Sequence, residues 1–231
     1  MPDFISGELI LVDKPLKWTS FDVVKKLKFM LQKTTGVKKI KVGHAGTLDP
    51  LASGLLIICT GKKTKIIQDI QSQEKEYTGI INLGATTPSY DLETELENSK
   101  EYDHLTVEEI KITAKQMEGN QEQLPPIFSA KKIDGKRAYE LARKGEVPKM
   151  NPKAIKINSF IIDEIKLPEV HFTIRCSKGT YIRSIAHDFG EKLEVGAYLK
   201  SLRRTKIGNY IVSNALQLEE LQALAENHKA L

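Results

Sequence analysis

The densest run of chemically useful groups in the chain is Gly43-His44-Ala45-Gly46-Thr47-Leu48-Asp49-Pro50-Leu51-Ala52-Ser53-Gly54. Glycine lets backbone approach a ligand closely. A carboxylate, Asp49, sits among the glycines, just ahead of an apolar run from Leu55 to Cys59. Loops anchored to rigid elements are where catalytic groups tend to lie. Such a carboxylate could be a catalytic group. A structural alternative stays open, because Asp before Pro is a common turn former. Metal chemistry finds no support. His44, His104, His171, His187 and His228 form no HExxH or HxH pair, and Cys59 and Cys176 stand in no CxxC.

The elements that must position this loop can be read on either side of it. Glu8 to Val12 reads as a short strand. Ser20 is a good N-cap for a helix with Phe21, Val24, Leu27 and Leu31 facing inward. Leu55 to Cys59 reads as a buried strand and Gly61 to Ile70 as a short helix. Glu76 to Leu83 reads as a strand with Tyr77, Gly79, Ile81 and Leu83 on one face. Thr106 with Glu109 makes a capping box, so a helix is expected to about Met117. A turn at Asp134-Gly135 precedes a short helix over Ala138 to Arg143. Val170, Phe172, Ile174 and Cys176 alternate with polar residues, the clearest strand of all. A helix from Thr180 turns Ile182, Ile185, Ala186 and Phe189 inward. Ile207 to Val212 is expected as a last strand, and Leu218 to Leu224 as a helix. Interspersed helices and alternating strands predict an α+β fold with a mixed, largely antiparallel sheet. We expect a single domain over 1–231, with a basic, Pro- and Gly-punctuated insertion at about 124–151 and a short helical tail at about 213–231.

Composition narrows the class. The chain has 231 residues, 40% apolar and 28% charged, enough for a real core and too balanced for wholesale disorder. The longest apolar run is too short for a membrane span, and the first residues lack the pattern of a secretory signal, so a cytoplasmic protein is expected. Two cysteines there read as buried or half-buried thiols. The net charge is +5. Seven lysines lie between Lys25 and Lys41 with no acid. Further basic clusters are Lys131, Lys132, Lys136, Arg137, Arg143, Lys144 and then Lys200, Arg203, Arg204, Lys206. Three such clusters around the conspicuous motifs suggest a polyanionic partner.

The segment around Asp49 resembles the signature of TruB-type pseudouridine synthases, and other stretches agree in order. Lys14-Pro15 with Thr19-Ser20 resembles that family's N-terminal motif, and Lys75-Glu76-Tyr77 its K-x-Y strand. Pro125 to Lys132 with Gly135 to Tyr139, Cys176 to Ser184, and Gly196 to Thr205 resemble three more, so the likeness spans roughly residues 8 to 210. The resemblance implies isomerisation of a uridine in the TΨC loop of tRNA, with no cofactor, since atoms are neither gained nor lost. It implies that Asp49 is catalytic and that Arg183 pairs with it. Tyr77 would stack on the target uracil, with Leu202 as the opposite wall. His44 would fill the RNA stack left by the flipped base. Lys14, Lys131, Lys132 and Arg204 would contact phosphate or loop, and the insertion at 124–151 would be a thumb closing on the T-arm. No protein partner or membrane is implied, and a monomer is expected.

Departures exist. Lys17 replaces a usual glycine, and Tyr198 stands where histidine is frequent. Many relatives carry a further C-terminal RNA-binding domain, for which too few residues follow Tyr210, so contact mainly with the T-arm is expected. Rival readings are a non-catalytic tRNA chaperone, a nucleoside hydrolase or base glycosidase, and a structural ribosomal RNA-binding protein. Joint presence of Asp49, Tyr77 and Arg183 argues against lost chemistry.

Overall fold

A computed structural model describes residues 3–129, 131–133 and 135–226. In chain order the elements are β1 (Leu9–Lys14), α1 (Ser20–Thr35), β2 (Val42–His44), β3 (Ala52–Thr60), a 3-10 turn (Gly61–Ile66), α2 (Ile67–Ser72), β4 (Lys75–Leu83), α3 (Val107–Gln116), β5 (Gly119–Gln123), β6 (Lys132–Ile133), β7 (Lys136–Arg137), α4 (Ala138–Ala142), β8 (Lys153–Lys166), β9 (Glu169–Cys176), α5 (Ile182–Lys192), β10 (Ala197–Ile207), β11 (Tyr210–Ile211) and α6 (Leu218–Glu226). The fold is α+β and its strand pairs are mostly antiparallel. The chain divides into two compact units, residues 1–77 with 202–231, and residues 78–201.

In the first unit β3 is the spine. β1 and β2 pair with it antiparallel, and the C-terminal part of β10 pairs with it parallel. Alternation sends Leu56 and Ile58 to one face, against Val23, Val24, Leu27 and Leu31 of α1 and Leu218 and Leu221 of α6. Leu55, Ile57 and Cys59 face the other way, against Ile70 and Ile207. A strand buried on both faces reads as an unbroken apolar run, as this one does. Helix α1 begins one residue earlier than Ser20 suggested. Thr19 is the N-cap, and a capping box with Asp22 closes both orphan donors. Val23 lies on the buried stripe and Phe21 faces outward, 67% exposed.

In the second unit the strand order is β4-β9-β8-β5. β8 pairs antiparallel with both neighbours, and its register against β9 slips twice. Phe160, Phe172 and Phe189 pack edge-on and tilted in its core. The Thr106–Glu109 capping box is present at α3. Sequence periodicity missed β5, β8 and most of β10. The expected strand at Ile207 is instead the end of β10, which turns into β11. The insertion holds the β6–β7 hairpin and α4; Asp134 at its expected turn lies outside the described residues. Among the described residues no helix is long and apolar enough to cross a membrane. Cys59 and Cys176 are both buried.

Candidate active site

Asp49 lies in the half-buried loop between β2 and β3. The loop has little regular structure, so its backbone groups must find other partners. Arg204 supplies several of them. Its side chain is 1% exposed, and it donates from Nε to the Leu55 carbonyl at 2.8 Å, from Nη2 to Gly46 at 3.1 Å and from Nη1 to Thr47 at 3.4 Å. Ser20, at the start of α1, takes a hydrogen bond from the Leu48 amide (2.8 Å) and gives one to the Leu48 carbonyl (3.1 Å). The Lys17 amide donates to Pro50 and the Ala52 amide to Asp49's own carbonyl. Asp49 is thereby flanked on both sequence sides by tethered backbone.

Gly54 makes this geometry possible. It lies opposite Lys14 on one side and Arg204 on the other. Its φ is +100°, and an added Cβ would collide with the Arg204 backbone. Lys14 is 0% exposed and donates from Nζ to the carbonyls of Pro15 (2.9 Å) and Trp18 (2.6 Å). Burial lowers its pKa to about 8; the Asp49 carboxylate opposes that shift and the Arg204 charge adds to it. Two expected phosphate contacts, Lys14 and Arg204, are thus interior braces. Neither side chain reaches solvent, because carbonyls of the surrounding turns take their donors.

Three other expected residues, Leu202, Tyr77 and His44, stand on strands of the same sheet. Leu202, half-buried, is the register partner of Ala52. Tyr77 is buried in β4. Its neighbour Glu76 accepts from the Thr205 hydroxyl at 2.9 Å and pairs with Lys206 at 3.2 Å, which ties β4 to β10 just beyond Arg204. His44 ends β2; its Nδ1 is buried and makes no hydrogen bond. Burial pushes the imidazole pKa below its ordinary value, and the Gly46 carbonyl pulls the other way without closing a bond to Nδ1. Arg203 forks onto Asp13 at 2.6 and 3.0 Å.

Arg183 belongs to the second unit, on the first turn of α5, 4% exposed. Its Nη1 donates to the Ser89 carbonyl at 3.2 Å and its Nη2 to Phe128 at 3.1 Å, while Nε lies 3.5 Å from the Asp91 carboxylate. Sequence reasoning missed Asp91 and Ser89. Their only signal was a Ser, an Asp and a Thr within an acidic loop, which is ordinary turn chemistry. The base of the insertion is fixed by the same helix. The Gln123 amide bridges the Tyr181 amide and carbonyl at 2.8 and 3.0 Å, and the Ser184 hydroxyl donates to Leu124. Further out, Arg143 pairs with Glu93 at 2.6 Å, and Arg137 and Arg143 lie over the Tyr139 ring. Lys131 donates to the Asn151 carbonyl. The side chain of Lys132, an expected RNA contact, lies outside the described residues. No group of three or more His, Cys, Asp or Glu among the described residues is arranged to hold a metal.

The expectation that all three basic clusters face RNA therefore needs correction. In the third, Arg204 is buried, Arg203 and Lys206 pair with Asp13 and Glu76, and Lys200 pairs with Glu169 at 2.5 Å. The first cluster is different: Lys25, Lys28, Lys33, Lys38, Lys39 and Lys41 are exposed.

Comparison with known proteins identifies the family. Residues 32–182 match the model of the TruB family pseudouridylate synthase N-terminal domain, and residues 183–231 that of the tRNA pseudouridylate synthase B C-terminal domain. A tRNA pseudouridine synthase B from Flavobacterium johnsoniae is 54% identical over 94% of this chain and 95% of its own length. One from Phocaeicola vulgatus is 50% identical over 94% and 92%. Among solved structures, a chain of a Cbf5-Nop10-Gar1 complex superposes with a TM-score of 0.71 at 28% identity, over 95% of this chain and 54% of that one. Asp49 and Arg204 fall inside the two family-model matches, and the chain belongs to the TruB family of pseudouridylate synthases.

Proposed function

We propose that this chain is a tRNA pseudouridine synthase, an isomerase that converts the TΨC-loop uridine to pseudouridine with Asp49 as the catalytic group. The observation that carries the reading is the loop itself. A carboxylate stands in a loop whose flanking backbone is held by a buried guanidinium, in a chain of this family. Holding a reactive group in one geometry lowers the entropic part of the barrier. In the reaction the N1–C1′ bond breaks, the uracil turns, and C5 joins C1′; the C5 hydrogen leaves as a proton and N1 gains one. Asp49 acts at the ribose, as a nucleophile at C1′ or as the base that opens a glycal route. The roles that the resemblance implies for Tyr77, Arg183, Leu202 and His44 belong to this same reading, as does the insertion acting as a thumb.

Tritium release from a tRNA transcript labelled at uracil C5 tests it. Wild type releases tritium, and Asp49→Asn, binding tRNA as before, releases at least ~1,000-fold more slowly. Release of free uracil would instead mark a glycosidase. Tight binding with no release from wild type would mark a chaperone.

A further inference from the structure

We propose that the outer face of α1 is a second RNA-contact surface, on which unpaired bases of the bound RNA stack. The proposal rests on the RNA-modifying reading above. α1 buries Val23, Val24, Leu27 and Leu31, yet Phe21 and Phe29 on its other side are 67% and 66% exposed. Residues four apart lie on one helical face, so Phe21, Lys25 and Phe29 form a stripe. The stripe borders a groove lined by Lys17, Trp18, Asp22, Lys25, Lys26 and Phe29. The Lys26 ammonium lies 5.4 Å from the Trp18 ring centre. Phe21 and Phe29 are about 12 Å apart along the axis, room for about three nucleotides.

Charge and continuity select RNA as the occupant. From Lys25 to Lys41 there are seven lysines and no acid. The one carboxylate in the groove, Asp22, accepts from the Thr19 amide and hydroxyl in the helix cap. The third basic cluster is engaged internally, so it supplies little to a polyanion, whereas this one is exposed. The surface also begins at the catalytic loop: Ser20 is bonded to Leu48 in both directions and the Lys17 amide to Pro50. RNA whose uridine reaches Asp49 therefore has its adjoining nucleotides beside lysines for phosphate and aromatic rings for bases, the pairing that binds single strands.

Trp18 is the sole tryptophan of the chain, so its fluorescence reports on the groove directly. Titration with a T-arm stem–loop and with full tRNA transcript should quench it. Phe29→Ala should weaken binding about tenfold with kcat at saturating RNA unchanged, the loss expected of one stacked base. Phe29→Tyr should restore binding, and Phe29→Leu should not. Phe29→Ala and Phe21→Ala both binding as wild type would overturn the proposal. So would quenching by anionic phosphatidylglycerol vesicles but not by RNA, or a wild-type dimer that Phe29→Ala dissolves. Quenching by RNA that Phe29→Ala abolishes, in a wild type that forms no pseudouridine, would remove the enzymatic reading and leave the RNA surface standing.

Discussion

The loop carrying Asp49 and the insertion at 124–151 are both irregular, glycine-punctuated and basic at their margins, yet they are held by different means. The Asp49 loop is tied by interior donors, above all the three hydrogen bonds of Arg204. The insertion is pinned at its base by Gln123, Ser184 and Arg183. Beyond that base Ala138, Leu141 and Met150 are buried, but its charged side chains make surface contacts, the Arg143–Glu93 pair and the cations over Tyr139. A buried guanidinium has no second partner to offer, whereas exposed arginines exchange a carboxylate for a phosphate at little cost. The difference fits the proposed reading, in which Asp49 is a fixed catalytic group and the insertion exchanges contacts when RNA arrives.

The largest expected effect falls on the Asp49 loop. Arg204→Ala leaves three carbonyls and a cavity, and should lower stability by about 3–5 kcal/mol in urea unfolding. Arg204→Lys should recover only part of that, since one ammonium cannot span three carbonyls. A loss below ~1 kcal/mol for Arg204→Ala would erase the contrast between the two regions.

A subtler effect concerns Lys14. Its folded pKa, about 8, lies below the ordinary 10.5. Between those values the unfolded chain binds more protons than the folded one, so this group's contribution to stability rises with pH across that window. It is complete above 10.5 and lost as pH falls through about 8. Lys14→Met lacks the titration. The stability of wild type relative to Lys14→Met should therefore climb from pH 8 to 10; a flat difference would mean that Lys14 is better solvated than its burial indicates.

The smallest effect belongs to the insertion. Arg143→Ala or Glu93→Ala should change stability by less than about 1 kcal/mol. Glu93→Gln should, if anything, tighten RNA binding at low salt by releasing Arg143 toward phosphate. A loss of several kcal/mol from either alanine variant would show that the insertion is braced as firmly as the loop.

Much of this was legible in the residues. The capping box at Thr106, the alternation of β9 and the apolar run of β3 each satisfy one strong local rule. The loop around Asp49 was legible by composition and by family resemblance together. Other features depend on partners that no local rule names. β8 slips register twice against β9, so its alternation is broken. β10 carries Lys200, Arg203, Arg204 and Lys206, which disguise a strand whose charges meet carbonyls and carboxylates far along the chain. Phe21 shares a helical spacing with Val24, Leu27 and Leu31, but the buried stripe runs through Ser20, Val23, Val24, Leu27 and Leu31 instead. Lys14 and Arg204 looked like solvent-facing cations because their acceptors are backbone groups, which every sequence has.

The separation between Arg204 and the carbonyls it holds has a consequence for synthesis. Thr47 and Arg204 are 157 residues apart. At ordinary ribosomal rates roughly 10–30 s pass between the emergence of the two. Through that interval the nascent chain carries Asp49 without the guanidinium that holds the backbone of its loop. Contacts of such long range form late and slowly, so the loop around Asp49 gains its folded geometry among the last events of the protein's own production.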